Sequence, residues 1–179
     1  MKNFFIVSIL SFFILLSNTH AEDKIAIINI DYIIENSIVG KSIKSKISKI
    51  NKDNNKYFKE KETSLRKKEE KIIKQKNVLS KEEFNKNVNL FKEEIKAFRE
   101  DKSIKLKKLQ SIKIRSINEL LKQLSPIVAQ FAKDNNISTV IDKKYTVVSK
   151  VESDITKELL VILDKKIKKI NIKWIWQLH

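Results

Sequence analysis

The sequence has no cysteine, a single glycine, a single proline and two histidines. Without thiols there is no disulfide to staple an exported fold and no thiolate chemistry. The histidines are His20 and His179, so a His-dependent triad or a zinc site lacks its usual material. One glycine cannot build a phosphate-cradling loop. The same scarcity of glycine and proline excludes a many-turned all-β fold and favours long unbroken helices. Paired carboxylates are present at Glu69-Glu70, Glu82-Glu83 and Glu93-Glu94. They stand among lysines at helical spacings and read as solvated surface pairs, not as an acid–base dyad. The expectation is therefore no catalytic residue, no metal and no cofactor.

What the sequence does have begins at its start. Met1-Lys2-Asn3 precedes an apolar stretch from Phe4 to Leu16, and Thr19 and Ala21 supply small residues before a cut after Ala21. This is the layout of a cleaved secretory signal over residues 1–21. A membrane anchor is the rival reading, but about 13 apolar residues make only about 20 Å of helix, short of the roughly 30 Å hydrocarbon layer. Export places the mature chain in the periplasm.

The formal net charge is +16. Between Lys41 and Lys113 there are 24 Lys and Arg against 11 Asp and Glu, which places +13 of it in one region. A field of that size attracts acidic proteins, nucleic acid or anionic lipid. An exported chain meets anionic lipid surfaces and unfolded envelope proteins, so no nucleic-acid partner is expected, and no recognition motif for one is visible.

Along the mature chain, Lys24 to Ile30 reads as a buried strand, followed by a short helix through Tyr32, Ile33, Ile34 and Glu35 capped by Asp31, with Gly40 ending it or turning the chain into the next. From Lys41 to about Lys76, Ile43, Ile47, Ile50 and Tyr57, then Phe58, Leu65, Ile72 and Leu79, form a coiled-coil-like stripe. Asn54, Lys61 and Lys68 take seam positions and weaken it. Ser80 with Glu83 is a capping box that starts a second helix. Phe84, Val88, Phe91, Ile95 and Phe98 carry its stripe, continued by Leu106, Leu109, Ile117, Leu120, Leu121 and Leu124. Pro126 predicts a bend and then a continuation to Asn135 and Asn136. Ile137 to Asp142 and Tyr145 to Ser149 read as a two-stranded hairpin across Lys143-Lys144. Asp154 is the expected cap of a closing helix from Ile155 to Ile170, and a basic tail, 171–179, holds Trp174 and Trp176. The fold class is α+β. A small β body is made by 22–40 and 126–170, from strands near both ends of the chain, and a long antiparallel helical hairpin, 41–125, projects as an arm.

Strands split around one long hairpin are an unusual order, and here the chain resembles the Skp/OmpH family of periplasmic chaperones. The opening KIAIINIDYIIENSIVGK resembles that family's first strand and short helix. The closing LLKQLSPIVAQFAKDNNISTVIDKKYTVVSKVESDIT follows its pattern of helix end, strand with Val140, Ile141 and Asp142, second strand and Asp154-Ile155-Thr156. Asn136-Ile137 stands where a Gly-Tyr pair is usual, Lys150-Val151 replaces a small residue and Pro, and the tail is longer and more aromatic. The resemblance implies a homotrimer whose arms surround a cavity in which unfolded outer-membrane proteins are held without ATP.

Candidate client-binding residues on the arm are Phe58, Lys67, Lys68, Lys71, Ile73, Lys74, Lys76, Phe84, Phe91 and Phe98. The lysines would draw in anionic client segments and the apolar side chains would offer adaptable contact. Hairpin packing is the plainer reading for each Phe, and solubilisation for the lysines. Ile25, Ile27, Val140, Ile141, Val147 and Val148 are the candidate oligomer body, because exposed strand edges invite closure with sister subunits. The tail fits either a membrane interface or docking onto the body. The alternative function class is a structural or adaptor coiled coil of the cell envelope.

Overall fold

The computed structural model describes residues 23–170; the expected signal, 1–21, and the tail, 171–179, lie outside these. Strand β1 is Lys24–Ile28, followed by helices α1 (Ile30–Asn36), α2 (Ile38–Gln75) and α3 (Lys81–Asp134), strand β2 (Ile137–Asp142) and helix α4 (Thr156–Lys166). Between β2 and α4 lie two 3-10 turns, Lys143–Tyr145 and Val151–Ser153.

The 38 residues of α2 make about 57 Å of helix and the 54 of α3 about 81 Å, far more than a compact core can wrap. They pack as an antiparallel hairpin whose tip is the turn at Lys76 to Leu79. The capping box is formed: Ser80 Oγ accepts from the Glu83 amide at 3.3 Å, and Glu83 Oε2 accepts from the Ser80 amide at 3.4 Å. Helix α3 runs through Pro126 to Asp134. It stops at Asn136, whose φ of 52° is the left-handed conformation Asn tolerates.

The two strands meet in parallel, with Ile25 opposite Thr139 and Ile27 opposite Ile141. Between them in the chain lies the whole arm. Against this sheet and the bases of α2 and α3 sits one core of Ala26, Ile28, Ile33, Val39, Leu120 and Leu124, closed by Ile155, Leu159 and Leu163.

Several boundaries differ from the sequence expectation. Asn29, not Asp31, caps α1, its Oδ1 accepting from the Tyr32 amide at 2.9 Å. Ser37 caps α2, accepting from the Gly40 amide at 3.0 Å, so Gly40 lies inside the first turn of the long helix and does not end the short one. Its lack of a side chain is needed for close approach: a Cβ there would sit 1.8 Å from the Ile34 carbonyl oxygen. The closing helix starts one residue later and ends at Lys166, not Ile170.

The expected second strand, Tyr145 to Ser149, is not formed. A two-residue hairpin turn requires positive φ, and Lys143-Lys144 instead enter a 3-10 turn capped by Asp142. Ile27 pairs with Ile141 on one side and bridges Asp154 on the other, so β1 is flanked on both sides, and among the described residues β2 keeps an open edge. Thr146 and Lys150 are nonetheless extended, at φ −108°, ψ 134° and φ −69°, ψ 144°.

Candidate functional site

The arm is held by a seam one side chain deep. Phe84, Phe91, Phe98, Lys105 and Ile112 follow one another at seven-residue steps along α3, and Phe58, Leu65 and Ile72 do so along α2. Phe58 is 5% exposed, and Phe91, Ile72 and Ile112 are buried with it; Phe84 and Phe98 are half-buried. Phe58 and Phe98 meet edge-on with ring centroids 6.4 Å apart. Leu106, expected in this seam, stands exposed instead, because the seven-residue step from Phe98 falls on Lys105 and then on Ile112.

Charged groups complete the middle of the hairpin. Lys102 Nζ lies 5.2 Å from the Phe58 ring centre and 5.9 Å from that of Phe98, and pairs with Glu62 at 2.8 Å. Lys105 lies 5.0 Å from the Tyr57 ring and 3.3 Å from Asp101 Oδ1. Hydrogen bonding toward Asp101, with some burial and the negative charge there, raises the Tyr57 hydroxyl above its ordinary value. Nearer the tip, Lys68 pairs with Glu94 across the two helices. Each such exposed contact contributes a few tenths to about 1 kcal/mol, so the arm is held in register without being rigidly cored.

Of the proposed client set, Lys67, Lys71, Lys74 and Lys76 are exposed, Lys68 is half-buried in its ion pair, and Ile73 is 63% exposed. The four Phe lie in the seam, which is the packing reading. Other apolar side chains stand free on the arm: Val78 at the tip, and Leu90, Ile104 and Ile114 along α3. They fall off the periodic stripe. A search of the sequence for apolar residues out of phase with the stripe would have found them.

At the body, the ends of the chain are tied together. The Ile155 amide donates to the Ile27 carbonyl at 2.9 Å, the Asn29 amide to Thr156 Oγ1 at 2.8 Å, and the Ile38 amide to Asp164 Oδ1 at 2.8 Å. Asp154 joins the turns to this closure: Oδ2 accepts from Lys143 Nζ at 2.8 Å and Oδ1 from the Thr156 amide at 3.1 Å. Desolvation pushes the Asp154 carboxyl up, but the hydrogen bonds from Lys143 and Thr156 outweigh it and hold the group below its ordinary value. Among the proposed oligomer-body residues, Ile27 is covered by its own chain and Val140 and Ile141 are half-buried. Ile25 is half exposed, while Val147 and Val148 are 100% and 89% exposed, next to exposed Tyr145 and Val151.

Among the described residues, no group of three or more His, Cys, Asp or Glu could hold a metal ion, and no helix is long and apolar enough to cross a membrane.

A small α+β body carrying a long antiparallel helical arm, with an open sheet edge beside it, defines an arm-bearing class of protein. The chain belongs to the OmpH-like outer membrane protein family, whose model matches residues 24–163. Among solved structures it is similar to an OmpH-like protein from Caulobacter crescentus CB15, itself named as a candidate outer membrane chaperone. The two align with a TM-score of 0.78 at 16% identity, covering 85% of this chain and 90% of that one. No curated protein sequence matches the chain significantly.

Proposed function

We propose that this protein is a periplasmic holding chaperone that works without ATP, keeping unfolded outer-membrane proteins soluble in a cavity between the arms of three copies. The observation that carries this reading is the surface of the arm. Apolar side chains at Ile73, Val78, Leu90 and Ile104 stand exposed on a helical hairpin dense in lysine. Scattered apolar contacts on an adaptable, charged scaffold suit many unfolded clients and no single shaped ligand. The positive field draws in their anionic segments. Membership of the OmpH-like family supports the chaperone role and the periplasmic setting.

Trimerisation is supported by the other end of the molecule. The open edge of β2 and the exposed Val147 and Val148 beyond it lack ladder partners within the described residues, and pairing with the same elements of sister copies would supply them.

The test is dilution of a denatured outer-membrane barrel protein into nucleotide-free mature chain, residues 22–179. Light scattering should stay low, and the chaperone's mass in solution should be that of three chains. Raising salt toward about 1 M, where screening acts within roughly 3 Å, should weaken capture. Aggregation that proceeds unhindered would overturn the reading, and with a fixed envelope partner would favour the adaptor class. A stable monomer would overturn the trimer.

A further inference from the structure

At the root of the arm the hairpin opens on one side into a groove of about 590 Å³, between the start of α2 and the facing stretch of α3. Its floor is apolar: Ile43 and Ile47 come from α2, Leu109 and Ile117 from α3, and Ile34 from α1. Ile34 reaches it because Gly40, also in the wall, lets α1 lie close against α2. Ile43 is buried, but the other four are only half-buried. Leu106 extends the floor along α3. It lies one turn before Leu109 and Gln110 on the same helix face, which gives this exposed leucine, absent from the seam, a place beside the groove. From Leu106 to Ile117 the floor runs about 16 Å.

The rim is polar and mostly basic. Lys44 stands on the α2 side and Lys113 on the α3 side, both exposed and outside any ion pair among the described residues, against one acid, Glu35. Asn51 and Gln110 add side-chain amides, one on each helix, each able to donate and to accept. Neither amide is hydrogen-bonded to another described residue.

This combination discriminates among occupants. A lipid chain would cover the floor and leave the amides unused, and an incoming helix already satisfies its peptide groups internally. An extended polypeptide presents alternate side chains to the floor and free N–H and C=O groups to the amides. About 16 Å accommodates roughly five extended residues. The two lysines favour carboxylates among them.

We propose that this groove holds an extended, apolar and acidic segment of an unfolded client, with alternate apolar side chains on the Ile47, Leu109 and Ile117 floor, carboxylates at Lys44 and Lys113, and peptide groups on the Asn51 and Gln110 amides. The inference rests on the holding reading above and gives it a built point of capture at the arm's root. Strands of outer-membrane barrels alternate apolar with polar residues, which is the pattern the groove takes.

The test uses the mature chain, residues 22–179, and a short dye-labelled peptide alternating apolar residues with Thr and Glu, together with a counterpart carrying Lys in place of each Glu. Fluorescence anisotropy should show the Glu peptide bound more tightly. The double variant Lys44→Glu, Lys113→Glu should weaken it about ten-fold and should bind the Lys peptide better than the wild type does, a gain that loss of fold would not produce. Lys71→Glu with Lys74→Glu near the tip makes the same change in net charge and should alter binding less than about two-fold. Equal losses in the two double variants would overturn the proposal, because the general field alone would then account for capture. So would a Glu peptide that fails to bind the wild type, or that binds only when dilution separates the copies, since a sister chain would then fill the groove. The barrel-protein dilution assay separates this from the holding reading: a barrel kept soluble by a wild type that binds no peptide leaves that reading standing without the groove, and a bound peptide with an aggregating barrel does the reverse.

Discussion

In the body, thirteen buried side chains from every strand and helix converge on a single cluster, whereas the apolar side chains buried along the arm outside that cluster are Phe58, Ile72, Phe91 and Ile112. The body is closed by hydrogen bonds from backbone amides to side-chain oxygens more than a hundred positions away, such as Asn29 to Thr156 and Ile38 to Asp164. The arm's cross-links are exposed ion pairs and lysines over rings. Close packing makes the body intolerant of added volume, and the thin seam leaves the arm open to local loosening. That division suits a molecule whose one end must assemble uniquely while the other accommodates many shapes.

The sharpest way to break the comparison is at Gly40. In Gly40→Ala the new methyl would meet the Ile34 carbonyl oxygen, backbone that cannot swing aside. Helix α1 must then separate from α2, and the expected loss is about 3 kcal/mol of global stability, at the upper end for overpacking. Chemical denaturation of the mature protein measures it. An unchanged midpoint would mean the body has slack after all.

This contact also marks what was legible in the sequence. Helix lengths, the Ser80–Glu83 capping box, the stop at Asn136 and the strands near both ends follow from local chemistry and periodicity, and these are present. Glycine chemistry suggests that Gly40 ends one helix or turns the chain into the next, yet its role is set by a neighbour's carbonyl that sequence cannot place. Leu106 has the hydrophobicity of a seam residue, but the register puts Lys105 there, its stem able to cover apolar surface while its charge reaches Asp101. The 145–149 segment has strand composition without a partner in its own chain, and composition does not count partners. As for the candidate site, the lysines are legible directly, whereas the exposed Leu90 and Ile104 are passed over by a search for the periodic stripe and emerge only when apolar residues out of phase with it are sought.

A second substitution tests the arm in the same terms. Phe58→Ala should cost about 2 kcal/mol, less than the roughly 3–5 kcal/mol of a full core, because a one-layer seam can close partly around the gap. The loss should appear as faster amide exchange in α2 and α3 beyond residue 58, with exchange in β1, β2 and α4 unchanged. Equal acceleration in the body would make arm and body one cooperative unit and erase the distinction.

The smallest effect separates the two regions by the kind of charge each uses. Asp154 titrates below its ordinary value of about 3.8 in the folded protein. The unfolded chain therefore takes up the proton first as pH falls. The stability this carboxylate contributes is complete above about pH 3.8 and is lost as the pH drops through the lower, folded value. In Asp154→Asn the amide oxygen can still accept from the Thr156 amide while the charged contact with Lys143 is gone, a loss of up to about 1 kcal/mol at neutral pH for a partly exposed pair. The variant should also lack the wild type's acid-dependent step, seen by denaturation at a series of pH values. Salt at neutral pH should act the other way round, screening Glu62–Lys102 and Lys68–Glu94 in the arm more than the partly covered Asp154. If the acid step persists in Asp154→Asn, Asp154 is not the carboxylate responsible, and its contact with Lys143 contributes no more than the exposed ion pairs of the arm.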